Sequence, residues 1–182
     1  MLSYLRPAVA LTLFFTLLCG IAYPLAITGA AQAIFPAQAN GSQITRDGTL
    51  IGSSLIGQLF ESDRYFHGRP SAVNYDASAS SGTNLGPSNR ALLDAIAERA
   101  AAYGDAPVPA DLVTSSGSGL DPHLSPAGAL AQIPRVAAAR AIGEAQLRYL
   151  VAANTRGPDL GILGNPRVNV LALNLALDAL SP

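Results

Sequence analysis

The stretch Ala8-Val-Ala-Leu-Thr-Leu-Phe-Phe-Thr-Leu-Leu-Cys-Gly-Ile-Ala-Tyr-Pro-Leu-Ala-Ile-Thr-Gly-Ala-Ala-Gln-Ala-Ile34 decides the plan of this chain. No charged side chain stands between Arg6 and Arg46, a gap of 39 positions. A bilayer core of about 30 Å needs roughly 20 apolar residues in helical form, so residues 8–34 suffice for one transmembrane helix. The rival reading is a cleaved signal peptide, whose apolar region runs about 7–15 residues. Ala31-Gln32-Ala33 has the small-residue form of a cleavage site, but the length of the run favours a retained anchor. Leu18 before Cys19 argues against a lipoprotein signal.

Within the run, Thr12, Thr16, Gly20, Pro24, Thr28 and Gln32 recur at every fourth position. On a helix of 3.6 residues per turn, each step of four advances the face by about 40°. The small and polar line therefore wraps slowly round the helix and suits close approach by a crossing helix. Thr12, Thr16, Gly20, Pro24 and Thr28 are accordingly candidate interface residues toward a membrane partner. Arg6 and the terminal amine flank one end, whereas Arg46 beside Asp47 opens the other. The positive-inside rule places the N-terminus in the cytoplasm and the remainder outside.

Outward from the anchor, the 182 residues carry 11 basic side chains, all arginine, against 12 acidic ones, for a net charge of −1. That balance excludes a strong field for nucleic acid. Only 13% of residues are charged, about half the usual share. A single cysteine and two histidines, His67 and His123, exclude a disulfide framework and argue against a zinc site.

The 148 residues from Phe35 to Pro182 suffice for one domain. The organisation expected is a cytoplasmic N-terminus over 1–7, a transmembrane helix over 8–34 and an α/β domain over 35–182. Residues 77–89 form a small-polar loop. Ser88 is placed to cap a helix over 89–103, Gly104 ends it, and Asp111–Ser115 reads as a short strand. Ser125-Pro126 opens another helix, Pro134 breaks it near Ile133, and helical spacing continues to Ala153. Residues 167–177 fit both strand alternation and helical spacing.

Candidate chemistry is sparse. A lysine-free chain has no Gly-x-x-x-x-Gly-Lys-Ser/Thr loop. Ser118, Asp121 and His123 fall close together, which would suit a secreted hydrolase only if they converged in space. Position 116 is Ser, so the Gly-x-Ser-x-Gly elbow fails, and a glycine-rich turn is the plainer reading. His67, between aromatic neighbours, reads as a partly buried structural histidine. Arg69 before Pro70 is held extended, aimed either at a partner carboxylate or at a plain ion pair. Asp76 and Asp121 read as turn carboxylates or as a means of gathering cations.

Seven motifs in order carry a resemblance. They are Tyr23-Pro24-Leu25, Phe35-Pro-Ala-Gln-Ala-Asn-Gly-Ser42, Gly52-Ser-Ser-Leu-Ile-Gly-Gln58, Tyr65-Phe-His-Gly-Arg-Pro-Ser71, Ser81-Gly-Thr-Asn-Leu-Gly-Pro87, Asp111 to Arg140, and Asn165-Pro-Arg-Val-Asn-Val-Leu171. Together they resemble the KdpC family, subunits of the Kdp potassium-transporting ATPases of bacteria and archaea. The resemblance implies a non-catalytic subunit in the inner membrane, partnered by a P-type ATPase subunit and a channel-like potassium subunit. It implies a catalytic chaperone that raises the ATP affinity of the ATPase subunit, with a nucleotide contact falling on Ser125 and Gln132. It implies also that the loops 77–89 and 115–126, with Asn84, Asp121 and His123, face the partners. The family is equally pictured with its domain outside, near the potassium entrance. The chain lacks the Asp-Lys-Thr-Gly-Thr phosphorylation motif of P-type ATPases, so its expected part is assembly, gating or modulation. A membrane-anchored extracytoplasmic module binding its own ligand is the alternative.

Overall fold

The computed structural model describes residues 2–104 and 106–180. Met1, Asp105, Ser181 and Pro182, which fall in the expected segments 1–7 and 35–182, lie outside the described residues. The chain divides into two compact units, Met1–Ile51 and Gly52–Pro182. Residues 35–51 thus fall with the helix.

In the first unit, α1 (Leu2–Leu17), a π-turn (Leu18–Ala22) and α2 (Tyr23–Ile34) run on as one helix. Its span Ser3–Ile34, 32 residues, is long and apolar enough to cross a membrane, and no residue of its most apolar stretch is buried. At about 1.5 Å per residue it measures roughly 48 Å. The π-turn has a local cause. Pro24 offers no N–H and its ring would strike the carbonyl four residues back, and the widened turn just before it relieves that contact. There the Tyr23 N–H donates to the Leu18 carbonyl, five residues back. Phe35 leaves the helix at φ −133°, the extended geometry a following proline imposes. A short α3 (Pro36–Ala39) follows, and Asn40 and Gln32 exchange amide hydrogen bonds of 3.1 and 3.2 Å across it. Strands β1 (Gln43–Arg46) and β2 (Thr49–Ser53) pair as a small sheet. Asp47 and Gly48 between them both take positive φ, 52° and 78°, the Asp-Gly hairpin turn.

In the second unit, residues 54–76 form a strap that is mostly extended or turning. A 3-10 turn (Ala77–Ala79) follows, then α4 (Arg90–Ala101) and α5 (Ala110–Val113), β3 (His123–Leu124), α6 (Pro126–Ala131), α7 (Ile133–Arg140), α8 (Glu144–Ala153), β4 (Thr155–Arg156), β5 (Arg167–Asn169) and α9 (Val170–Asp178). The three strands form an antiparallel sheet in the order β3-β5-β4, with Leu124 opposite Val168 and Thr155 opposite Val168. Ala129, Ile133, Val136, Leu147, Val151, Leu173 and Leu177 from α6 to α9 close over this sheet with Phe66 of the strap. Each large aliphatic or aromatic side chain so buried contributes about 1.5–3 kcal/mol. A membrane-length helix followed by a domain of helices and small sheets is the expected fold class.

Three local expectations change. Asp111–Ser115 is not a strand: Leu112 and Val113 are both buried, which α5 permits and an alternating strand would not. The Thr114 hydroxyl closes that turn on the Ala110 carbonyl at 2.6 Å. The cap of α4 is Asn89, whose side chain accepts from the Ala91 N–H at 2.9 Å, rather than Ser88. The ambiguous segment 167–177 is both strand and helix. Asn169 ends β5 and caps α9 by accepting from the Ala172 N–H. The Ser125 cap stands, its hydroxyl accepting from the Gly128 N–H at 2.9 Å.

Candidate functional site

Asp121, His123 and Ser125 line one open cleft of about 560 Å³, with Arg69, Asp111 and Arg167 opposite or beside them. Asp121 organises it. One carboxylate oxygen accepts from the His123 N–H at 2.9 Å, a local turn that asparagine and aspartate favour. The other accepts from the Arg69 guanidinium at 3.2 Å. Arg69 therefore makes the plain ion pair, although it also lines a second cleft. Its remaining amine reaches the Ser115 carbonyl at 3.4 Å, while its Nε is buried without a partner. Arg167 meets both oxygens of Asp159 at 3.0 Å. Burial holds the His123 imidazole below its ordinary pKa, against the pull of Asp121, and Arg167 and Arg156 add to the lowering.

The strap is fitted closely to this cleft. A Cβ at Gly57 would fall 2.6 Å from the Asp121 carbonyl and 2.7 Å from the Tyr75 ring, so only glycine fits. The Tyr75 hydroxyl donates to the Arg69 carbonyl at 2.6 Å, and burial pushes its pKa up to about 12, with Asp121 adding to the rise. Tyr75 takes the left-handed φ of 61°, a region uncommon for bulky residues. The Ser71 hydroxyl holds it there by accepting from the Tyr75 N–H at 3.0 Å.

Ser125 and Gln132 occupy the two ends of α6. At its start the Asp111 carboxylate accepts from the Ser125 N–H at 2.6 Å. Gly128 lies so near that an added Cβ would stand 2.8 Å from the same carboxylate. The opening turn of α6 thus already carries a hydroxyl cap and a carboxylate. Gln132 is 1% exposed, and its amide bonds both backbone groups of His67. Ser118 shares a 3.2 Å hydrogen bond with Ser116 and accepts from the Leu120 N–H. Among the described residues no hydrogen bond joins it to His123.

The loops 77–89 and 115–126 meet each other. Ser80 donates to the Ser118 carbonyl at 3.0 Å, and a Cβ at Gly82 would press on the Gly117 carbonyl at 2.8 Å. Asn84 is exposed and left-handed at φ 55°. Asp76 caps the 3-10 turn through Ser78, and those hydrogen bonds keep its carboxyl below the usual range. On the apolar helix, Thr12, Thr16 and Gly20 line one shallow groove with Leu11, Phe15 and Cys19. A Cβ on Gly20 would meet nothing within 4 Å, so nothing inside the chain requires glycine there. The π-turn alters the stripe that spacing describes. A four-residue step overshoots an α-turn but falls short of a π-turn, so the drift reverses across Leu18–Ala22. Asp111, Arg167 and the orphaned Arg69 Nε were not legible as site features. The motif that begins at Asp111, the motif that contains Arg167 and the extended setting of Arg69 before Pro70 were the only signals toward them.

Among the described residues, one helix long and apolar enough to cross a membrane followed by a small domain of helices and short sheets defines the class. The family model described as KdpC, the c chain of K+-transporting ATPases, matches residues 5–179. Three relatives, each described as a potassium-transporting ATPase KdpC subunit, are similar over almost their whole length. The protein of Rhodopseudomonas palustris (strain BisB5) is 53% identical over 98% of both chains. That of Sorangium cellulosum (strain So ce56) is 57% identical, again over 98% of both. That of Caulobacter vibrioides (strain NA1000 / CB15N) is 58% identical over 100% of this chain and 96% of its own. The chain belongs to the KdpC family.

Proposed function

We propose that this chain is a non-catalytic accessory subunit of a high-affinity, ATP-driven potassium uptake complex. It stabilises the assembly of a P-type ATPase subunit with a channel-like potassium subunit, and it promotes ATP binding or potassium access by them. The observation that carries this reading is the family match from residue 5 to 179, which takes in both the apolar helix and the domain. The groove at Thr12, Thr16 and Gly20 supports a helix partner in the membrane. The joined loops with Asn84, Asp121 and His123 form the surface for the partners. ATP belongs to the catalytic subunit, and Ser125 and Gln132 bear on it through the fold they hold. The N-terminus is cytoplasmic and the domain extracytoplasmic in the inner membrane, as the placing of Arg6 supports.

Purification of the complex with and without this chain tests the role. Loss of ATP-driven potassium uptake without it is expected; full uptake would overturn it. The side of the membrane is tested with Ser80→Cys in a Cys19→Ala background, using an impermeant thiol reagent on intact spheroplasts. Labelling is expected, and protection that ends only on lysis would move the domain inside.

A further inference from the structure

We propose that a second cleft of the domain, about 340 Å³ between the strap and the C-terminal end of α4, binds a carboxylate carried on an apolar stem. This goes beyond the assembly role and does not depend on it. The polar side of the cleft is set by two arginines, Arg69 and Arg99, and the other side by Leu59, Phe60, Tyr103 and Leu112. Among the described residues no aspartate or glutamate lines it; Asp121 meets the Arg69 charge at 3.2 Å from outside the cleft, which leaves the Arg99 guanidinium as its unmatched positive charge. Arg99 donates one N–H to the Val113 carbonyl at 2.8 Å and has no carboxylate partner among the described residues. That bond fixes the guanidinium while leaving the rest of its fork for a ligand.

The chemistry follows from these groups. A guanidinium fork matches the two oxygens of a carboxylate. An apolar wall with a few convergent polar groups is the usual make-up of a ligand site. A carboxylate on an aliphatic or aromatic stem satisfies both sides at once. It can come from a free organic acid or from an acidic side chain of a neighbouring polypeptide.

The test uses the full chain in detergent micelles, with arginine side chains isotopically labelled and observed by NMR. 3-Phenylpropionate is the probe, and 3-phenylpropanamide is its uncharged control. A saturable shift of the Arg99 signal with the acid and none with the amide is expected. Arg99→Gln should weaken binding about tenfold, the scale of one charge-assisted hydrogen bond, and Arg99→Lys should weaken it less. The Arg140 signal, from a guanidinium engaged elsewhere with Asp178, reports that each variant is folded. If Arg99→Gln does not fold, the comparison of acid with amide on the unaltered chain decides. Equal binding of acid and amide, or no saturable shift, overturns the proposal. Repeating the titration in the assembled complex separates the sources. Unchanged binding there assigns the site to free acids, and binding abolished there but restored by removing the partners assigns it to a polypeptide carboxylate.

Discussion

The side-chain amide of Gln132 holds both backbone groups of His67, its Oε1 accepting from the N–H at 2.8 Å and its Nε2 donating to the carbonyl at 3.0 Å. Asn174 does the same for Phe66, at 2.9 Å in each direction. Successive residues of an extended chain turn their polar groups to opposite sides. Two buried amides therefore replace the neighbouring strands that Tyr65-Phe66-His67 lacks. Phe66 is thereby held at 0% exposure, and Arg69 is set over Asp121 two residues on.

Gln132→Ala should destabilise the domain by about 2–4 kcal/mol, because it strands two backbone groups and opens a buried space. Denaturant unfolding of the full chain in detergent reads this directly. A loss below about 0.5 kcal/mol would show that the strap does not depend on Gln132.

Gly128→Ala should cost about 1–3 kcal/mol through overpacking against the Asp111 carboxylate. A second change, Asp111→Ala, removes both the obstacle and the Ser125 hydrogen bond. The double variant should then lose less than the sum of the two single losses. Strict additivity in the unfolding free energies would contradict the contact.

Stability should fall as pH drops from 7 toward 5. Burial depresses His67 in the folded state, assisted by Arg135 and opposed by its bond to Ser62 and by Asp63; His123 is depressed likewise. The unfolded chain takes up these protons first, near pH 6.5, so it gains relative to the folded state below that value. Above it both forms are neutral and the contribution is complete. His67→Gln should flatten the slope of unfolding free energy between pH 7 and 5; an unchanged slope would remove His67 as its source.

Thr16→Leu combined with Gly20→Leu should reduce recovery of partner subunits with this chain from detergent extracts. The larger side chains fill the groove that close helix approach requires. Because the substitutions lie in the first unit, the unfolding of the domain should be untouched. Full recovery would discard the groove as an interface.

Much of the fold was legible because it rests on local chemistry. Thirty-nine uncharged positions leave little alternative to a membrane-length helix. Ser125-Pro126 and Pro134 set helix boundaries by capping and by a missing N–H. The Asp47-Gly48 turn is equally local, since it rests on two adjacent residues that tolerate positive φ. Asp111–Ser115 misled because five residues with one apolar pair carry no distinguishing period. The joint of strand and helix at Asn169 escaped for a related reason, since both patterns were present in succession.

The sequence by itself determined the membrane-length helix, the Ser125 cap, the motif order and hence the family, all of which depend on neighbours within a few positions. Only the tertiary structure decided what Gln132, Asp111 and Arg69 do. Their partners lie 65, 14 and 52 positions away, and a side chain's hydrogen-bonding capacity does not specify which distant backbone will fill it. That choice is made by the packing of α6 to α9 around the short sheet, which brings the strap within reach.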